Sequence, residues 1–141
     1  MQREHFLAVN DMRIAAELAG SLSYFFAYWE LPALGWRHSL IPDAVFRMDE
    51  RNFAVEFDRG MEGIQFFVRT KISAYRRGLD GLPLTAVLVV TDRDARMASL
   101  ARAIGETKGR VLFATLHAVQ VHGFLGPVFH REPGDTGVSI V

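Results

Sequence analysis

Residues 39–77 read SLIPDAVFRMDERNFAVEFDRGMEGIQFFVRTKISAYRR, and this stretch decides the fold. It predicts two short strands, at residues 39–48 and 53–58, because the polar cluster DERN at 49–52 separates two apolar runs. A helix over residues 61–78 is predicted next, since its apolar residues recur at helical spacing. The stretch therefore indicates a hairpin followed by a helix.

The predicted hairpin gathers acidic side chains. Strand residues alternate between faces, so Glu56 and Asp58 share one face while Val55 and Phe57 share the other. If the two strands pair, Asp43 lies on the face of Glu56. Three carboxylates then converge on one patch. Because like charges repel, such a patch requires a cation, a shared proton or a basic side chain.

The following helix offers a basic side chain for this patch. Lys71 and Tyr75 lie seven and eleven residues after Ile64, so they share its apolar stripe. A lysine on the buried side of a helix requires an anionic partner. The carboxylate patch is the nearest anionic group, and we expect Lys71 to lie beside it.

The remaining segments predict an α/β fold with a mixed central sheet of about five strands, in the order helix, three-strand meander, helix, strand, helix, strand. In the first helix, at residues 3–20, Leu7, Ile14 and Leu18 share one stripe, and Glu17 is expected to face solvent. Residues 117–141 are predicted to be a C-terminal extension, whose apolar segment 119–129 is a candidate dimer surface. The further elements are strands at 24–29, 83–91 and 110–116 and a helix at 93–106.

The amino-acid composition restricts the classes of protein to which this chain can belong. A chain of 141 residues, half of them apolar, is of the size of one globular domain. Lys plus Arg and Asp plus Glu both number 16, so the formal net charge is zero, which argues against a surface that is basic throughout. There is no cysteine, which excludes disulfides and cysteine-ligated zinc. No apolar run approaches membrane length, so we expect a cytoplasmic protein without a membrane partner.

The order of these motifs resembles the PD-(D/E)XK nuclease superfamily, whose restriction-endonuclease-like core is αβββαβ. More narrowly, HFLAVND at 5–11, PDA at 42–44, EFDRG at 56–60 and the Lys71…Tyr75 pair are similar to the replication-relaxation family of bacterial plasmids and mobile elements. The resemblance covers about residues 5–115. It implies a single nuclease-like domain over 1–141, without the winged-helix domain that usually precedes it.

The resemblance implies a divalent-metal-dependent DNA nuclease or nicking enzyme that acts in plasmid or mobile-element replication or mobilisation. It implies that Mg²⁺ or Mn²⁺ is held by Asp43, Glu56 and Asp58, which form the catalytic set together with Lys71. The superfamily pattern has a lysine where this chain has Asp58, so Lys71 would take that role from the helix. The DNA backbone would be contacted by a strip of five side chains: Arg59, Arg69, Tyr75, Arg76 and Arg77.

A second interpretation stays open. Structural ion pairs also cluster charges, so Lys71 is equally compatible with a buried salt bridge to Glu56 or Asp58, while Asp43 caps a turn. In that case the chain is a catalytically inactive nuclease-fold module. Such a module would form a homodimer or bind a replication or mobilisation protein.

Overall fold

The computed structural model describes residues 2–77 and 83–141. Within them, five strands form one sheet in the order β1-β2-β3-β4-β5. The β1, β2 and β3 strands are antiparallel, whereas β3, β4 and β5 are parallel. The mixed α/β architecture is therefore as predicted, and the order of the elements agrees with the prediction as far as β5. The strands are β1 (Leu22–Ala27), β2 (Ala44–Met48), β3 (Arg51–Asp58), β4 (Ala86–Thr91) and β5 (Val111–Thr115).

The helices lie between and beside these strands. They are α1 (Gln2–Leu18), α2 (Ile64–Phe67), α3 (Ser73–Arg76), α4 (Asp94–Ile104) and α5 (Leu116–His122), with a short 3₁₀ turn at Pro32–Leu34. A π-helical segment, Val68–Ile72, joins α2 to α3 without a break. We call the continuous run from α2 to α3 the central helix. It matches the helix predicted at 61–78, of which residue 78 lies outside the described residues.

The hairpin between β2 and β3 is tighter than predicted. Met48 pairs with Arg51, so the loop consists of Asp49 and Glu50 alone. Both have positive φ angles, 51° and 63°. Two left-handed residues match the twist of a two-residue hairpin loop, which fixes the register of the strands. Arg51 and Asn52, predicted as turn residues, belong to β3.

The sheet is covered on both faces. Helices α1 and α5 pack on one face, where Phe46, Phe53 and Leu88 are fully buried. The central helix and α4 pack on the other face, where Val89 and Phe113 are fully buried. A parallel strand covered on both sides is apolar throughout, as the β4 sequence AVLVVT is.

Helix α1 turns toward the sheet a side on which small residues predominate. Its buried residues are Ala8, Val9, Met12, Ala15 and Ala16, while the predicted stripe of Leu7, Ile14 and Leu18 is exposed. Small side chains let the helix lie close to a sheet whose own aromatic residues fill the space between them. Leu7, Ile14 and Leu18 are therefore left on the surface. Glu17 is exposed, as expected.

The C-terminal residues are part of the core. Within the segment 119–129, which was predicted to be an exposed dimer surface, Val119, Phe124, Val128 and Phe129 are buried. The chain returns to the sheet through bridges that pair His130 with Phe113 and Val138 with Phe129. These four side chains close one end of the core and do not belong to such a surface, whereas Val121 and Leu125 of the same segment are exposed.

Among the residues that the structure describes, none of the helices combines the length and the apolar character needed to cross a membrane.

Candidate functional site

The middle strand β3 presents its acidic residues to the central helix. Phe53, Val55 and Phe57 join the core under α1 and α5. Glu56 and Asp58 alternate with them and contact residues of the central helix and of α4. Both carboxylates are buried, with only 1% and 3% of each residue exposed. A charged group is rarely buried without partners, so the contacts of each carboxylate define what the site can do.

Asp43 precedes β2 and lies opposite Glu56. Its backbone N–H donates to the Val55 carbonyl at 3.0 Å, which places it at the end of the antiparallel pairing. There the Asp43 carboxylate accepts a hydrogen bond from the Phe57 N–H at 2.6 Å. Its other oxygen lies 2.6 Å from Nε2 of His5 in α1. Asp43 is thereby oriented by a strand on one side and a helix on the other.

Glu56 receives two side chains from the central helix. The Tyr75 hydroxyl donates to Glu56 Oε1 at 2.8 Å. The Lys71 ammonium lies 3.6 Å from Glu56 Oε2. Lys71 and Glu56 are thus on the same side of the sheet, in contact.

Burial sets the electrostatics of this group. It raises the pKa of Glu56 well above its usual value, and the neighbouring Asp43 carboxylate raises it further, against the opposing influence of Lys71 and Tyr75. Burial by itself lowers the pKa of Lys71, but Glu56 and Asp43 raise it above its usual value, which keeps the ammonium charged. Burial and Glu56 raise the pKa of Tyr75, so its hydroxyl keeps its proton. A cation bound beside Asp43 and Glu56, in addition to the Lys71 ammonium, would therefore be electrostatically favourable.

Asp58 departs from the predicted arrangement. Its carboxylate forms a bidentate salt bridge with Arg96 of α4. Arg96 Nε donates to Oδ2 at 2.7 Å, and Nη2 donates to Oδ1 at 2.9 Å. The hydrogen bond with Asp58 raises the pKa of Arg96. The three carboxylates share one face of the hairpin, yet each has its own basic neighbour. Asp58 therefore neither holds Lys71 nor faces Asp43 as a third ligand.

The predicted DNA-contacting strip is only partly available at the surface. The Tyr75 hydroxyl is turned inward to Glu56. Arg76 donates to the Ile104 carbonyl at 2.9 Å, and Arg59 pairs with Glu4. Arg69 on the central helix and Arg77 directly after it are exposed, and Arg76 is exposed as well.

Two residues of the site were missed by sequence analysis, although the pattern contains a signal for each. His5 stands three, four and seven residues before Ala8, Val9 and Met12, so it belongs to the buried side of α1. Arg96 stands four residues before the buried Leu100 on α4. In both cases a polar side chain at a core-facing position indicated a buried acidic partner.

Residues 2–77 and 83–141 contain no group of three or more histidine or acidic side chains arranged to hold a metal ion. The site offers a pair of acids, Asp43 and Glu56. Mg²⁺ keeps several waters and typically takes one or two carboxylates together with substrate phosphates. A pair of acids fits that donor set, whereas the predicted three-carboxylate set does not form.

No protein-family model matches the chain, and no curated protein matches it, so the resemblance to the replication-relaxation family stays a hypothesis. One solved structure that is similar is the small subunit of the heterodimeric restriction endonuclease R.BspD6I. The identity is 16% and the TM-score is 0.49, with 80% of this chain and 63% of that chain covered. The match thus spans less than two thirds of that subunit, and a likeness this weak assigns neither fold family nor activity.

Proposed function

We propose that this chain is a divalent-metal-dependent DNA nuclease or nicking domain with a restriction-endonuclease-like core. One observation carries the proposal: Asp43 before β2, Glu56 of β3 and Lys71 of the central helix lie together, with Lys71 Nζ 3.6 Å from Glu56 Oε2 and with Asp43 raising the pKa of both neighbours. Buried acids with a perturbed pKa beside a lysine are typical of sites that handle charged substrates.

Asp43 and Glu56 would hold Mg²⁺ or Mn²⁺, with the Phe57 carbonyl as a further oxygen ligand. When bound, such an ion neutralises phosphate charge and lowers the pKa of a water molecule. Asp58 is left out of this set because Arg96 engages both of its oxygens. Its role is to fix α4 against the end of β3.

The other side chains orient the acids and meet the substrate. His5 and the Phe57 N–H hold Asp43 in place, and Tyr75 holds Glu56. The side chain of Lys71 is 28% exposed, so its ammonium can reach a phosphate from the buried side of the site. Stabilisation of charge that develops in the transition state by such a preorganised group is commonly the largest single contribution to catalysis.

Exposed arginines of the central helix would contact the DNA backbone. Arg69 is exposed on the helix that carries Lys71, and Arg77 is exposed directly after that helix. Each phosphate contact that is lost lowers the salt dependence of binding by about one unit of slope. We therefore expect Arg69→Ala and Arg77→Ala each to flatten the salt dependence of DNA binding. By the sequence resemblance, the DNA would be that of a bacterial plasmid or mobile element, acted on in the cytoplasm beside a replication or mobilisation protein.

Incubation of supercoiled plasmid with Mg²⁺ or Mn²⁺ tests the activity. We expect relaxed or linear product from the wild type and none from Glu56→Ala, since this substitution removes a metal ligand. Glu132→Ala is the matched control, because Glu132 is exposed and lies outside the site. Cutting that survives Glu56→Ala, or a wild type without cutting under any of these metals, would contradict the proposal.

A second candidate function is a non-catalytic module with the same fold that pairs with a partner protein. One observation favours it: Glu56 is already satisfied by Lys71 and Tyr75, which makes a closed network without a metal. This candidate predicts no effect of divalent metals on stability or on DNA. Metal titration therefore separates the two functions.

A further inference from the structure

The outward stripe of α1 is unusually apolar for a protein surface. Leu7, Ile14 and Leu18 are 48%, 55% and 81% exposed. They are spaced seven and four residues apart, which places them in one line along the helix. Single exposed apolar residues are ordinary, but a contiguous line of large aliphatic side chains marks an interaction surface.

Helix α5 extends this surface. It lies beside the C-terminal half of α1, where Gln120 donates to Asp11 at 3.1 Å. Val121 is 59% exposed and Leu125 is 39% exposed. A shallow cavity of about 370 Å³ separates these two residues from Leu18. We call the surface formed by Leu7, Ile14, Leu18, Val121 and Leu125 the α1/α5 face.

We propose that the α1/α5 face binds a second copy of this chain, with the two α1 helices antiparallel about a twofold axis. The charged residues beside the stripe favour a second copy of the chain as the binding partner. Arg3 and Glu17 lie on the same side of the stripe at opposite ends of the helix, away from α5, and both are exposed. In an antiparallel pair about a twofold axis, the same side of each helix faces the same side of the other. The N-terminal end of one helix then lies against the C-terminal end of the other. Arg3 of each copy then lies against Glu17 of the other.

The apolar residues fit the same twofold arrangement. When Arg3 approaches Glu17, Leu7 approaches Ile14 of the second copy. In a parallel pair the same sides of the two helices lie on opposite sides of the seam, so Arg3 and Glu17 of the two copies would not pair with each other. A twofold interface uses the same patch on both copies, so the patch must be complementary to itself. The pairing of Arg3 with Glu17 therefore requires the antiparallel orientation.

Sedimentation velocity of the full chain tests the dimer. We expect a species of twice 15.8 kDa that dissociates on dilution from about 100 to about 1 μM, the range in which a micromolar interface dissociates. Ile14→Glu, in the part of the stripe that Leu7 of the second copy approaches, should weaken dimerisation at least about tenfold. Ile14 is 55% exposed, so the substitution leaves the core intact, which circular dichroism verifies. Met61→Glu, at a residue that is 70% exposed outside the face, is the matched control and should leave the dimer unchanged.

Charge reversal tests the orientation. Arg3→Glu and Glu17→Arg should each weaken the dimer, and the double variant should restore it. A wild type that is monomeric at about 100 μM overturns the proposal. So does a folded Ile14→Glu variant that remains dimeric, or a double variant without recovery. None of these results depends on nuclease activity, so they are independent of the proposed function.

Discussion

Lys71 is the residue at which the catalytic and the structural functions predict different losses. Lys71→Met keeps a helix-forming side chain of similar length. In a catalytic site it should lower the cleavage rate about a hundred- to a thousandfold, or about 3 to 4 kcal/mol of transition-state stabilisation, while metal binding survives. Cleavage rates and metal titration of the variant measure this.

The structural function predicts a different result for the same substitution. Removal of one partner of a buried pair typically costs about 3 to 5 kcal/mol of folding free energy. Urea denaturation measures that cost. A loss of this size in a protein whose wild type binds no metal would exclude the catalytic role for Lys71.

Glu56 makes stability depend on pH in a defined direction. Burial and Asp43 raise its pKa, so in the folded protein it keeps its proton above the value of about 4.3 at which the unfolded chain ionises. The unfolded state then binds fewer protons, and stability falls as pH rises through the window between the two values. In Glu56→Gln the side chain does not titrate, so this contribution to the pH dependence of stability is absent. Without metal, we expect the stability of this variant relative to wild type to rise with pH, by at most about 1.4 kcal/mol per unit. A difference that stays constant between about pH 5 and pH 8 would contradict this.

At the scale of elements, the turn between β3 and the central helix depends on Gly60. Its φ of +76° lies in the left-handed region, and an added Cβ would stand 3.2 Å from Nη2 of Arg93. Gly20, at the end of α1, has a similar φ of +81° with nothing within 4 Å. Alanine at either position should cost roughly 1 to 2 kcal/mol of backbone strain. We expect Gly60→Ala to cost more, as measured by urea denaturation. An equal or smaller cost would show that Arg93 moves aside freely.

The central helix shows why an element can matter beyond its length. Lys71 lies inside the π-helical segment, where one extra residue widens the turn. Such segments occur frequently at functional sites. The Val68 carbonyl accepts hydrogen bonds from both the backbone N–H and the hydroxyl of Ser73, five residues later, which is the hydrogen-bond spacing of this wider turn. The wider turn still lets both Lys71 and Tyr75 reach Glu56.

At the scale of the whole molecule, metal binding should appear as thermal stability. A ligand that binds only the folded state, present at a hundred times its Kd, stabilises by about 2.7 kcal/mol. Each kcal/mol raises the Tm of a chain of this size by about 2 to 4 °C. Mn²⁺ should therefore raise the Tm of the wild type, EDTA should reverse the rise, and Asp43→Asn should abolish it. A wild-type Tm that does not change when Mn²⁺ is added would support the non-catalytic module.

The sequence by itself determined the order of the elements, the mixed sheet and the face on which Glu56 and Asp58 lie, because periodicity and turn chemistry are local properties. It also placed Lys71 on the inner side of its helix. Only the tertiary structure decided which basic side chain pairs with which acid: Arg96 forms the salt bridge with Asp58, and Lys71 forms the one with Glu56.

The orientation of α1 was likewise a tertiary matter. Two stripes of this helix are apolar: one consists of alanines with Val9 and Met12, the other of Leu7, Ile14 and Leu18, and the sequence favours the second for burial. The aromatic residues of β1 and β2 already fill much of the core, so the stripe with the smaller side chains packs against the sheet and the bulkier one faces outward. Packing volume depends on residues distant in sequence, which no local pattern records.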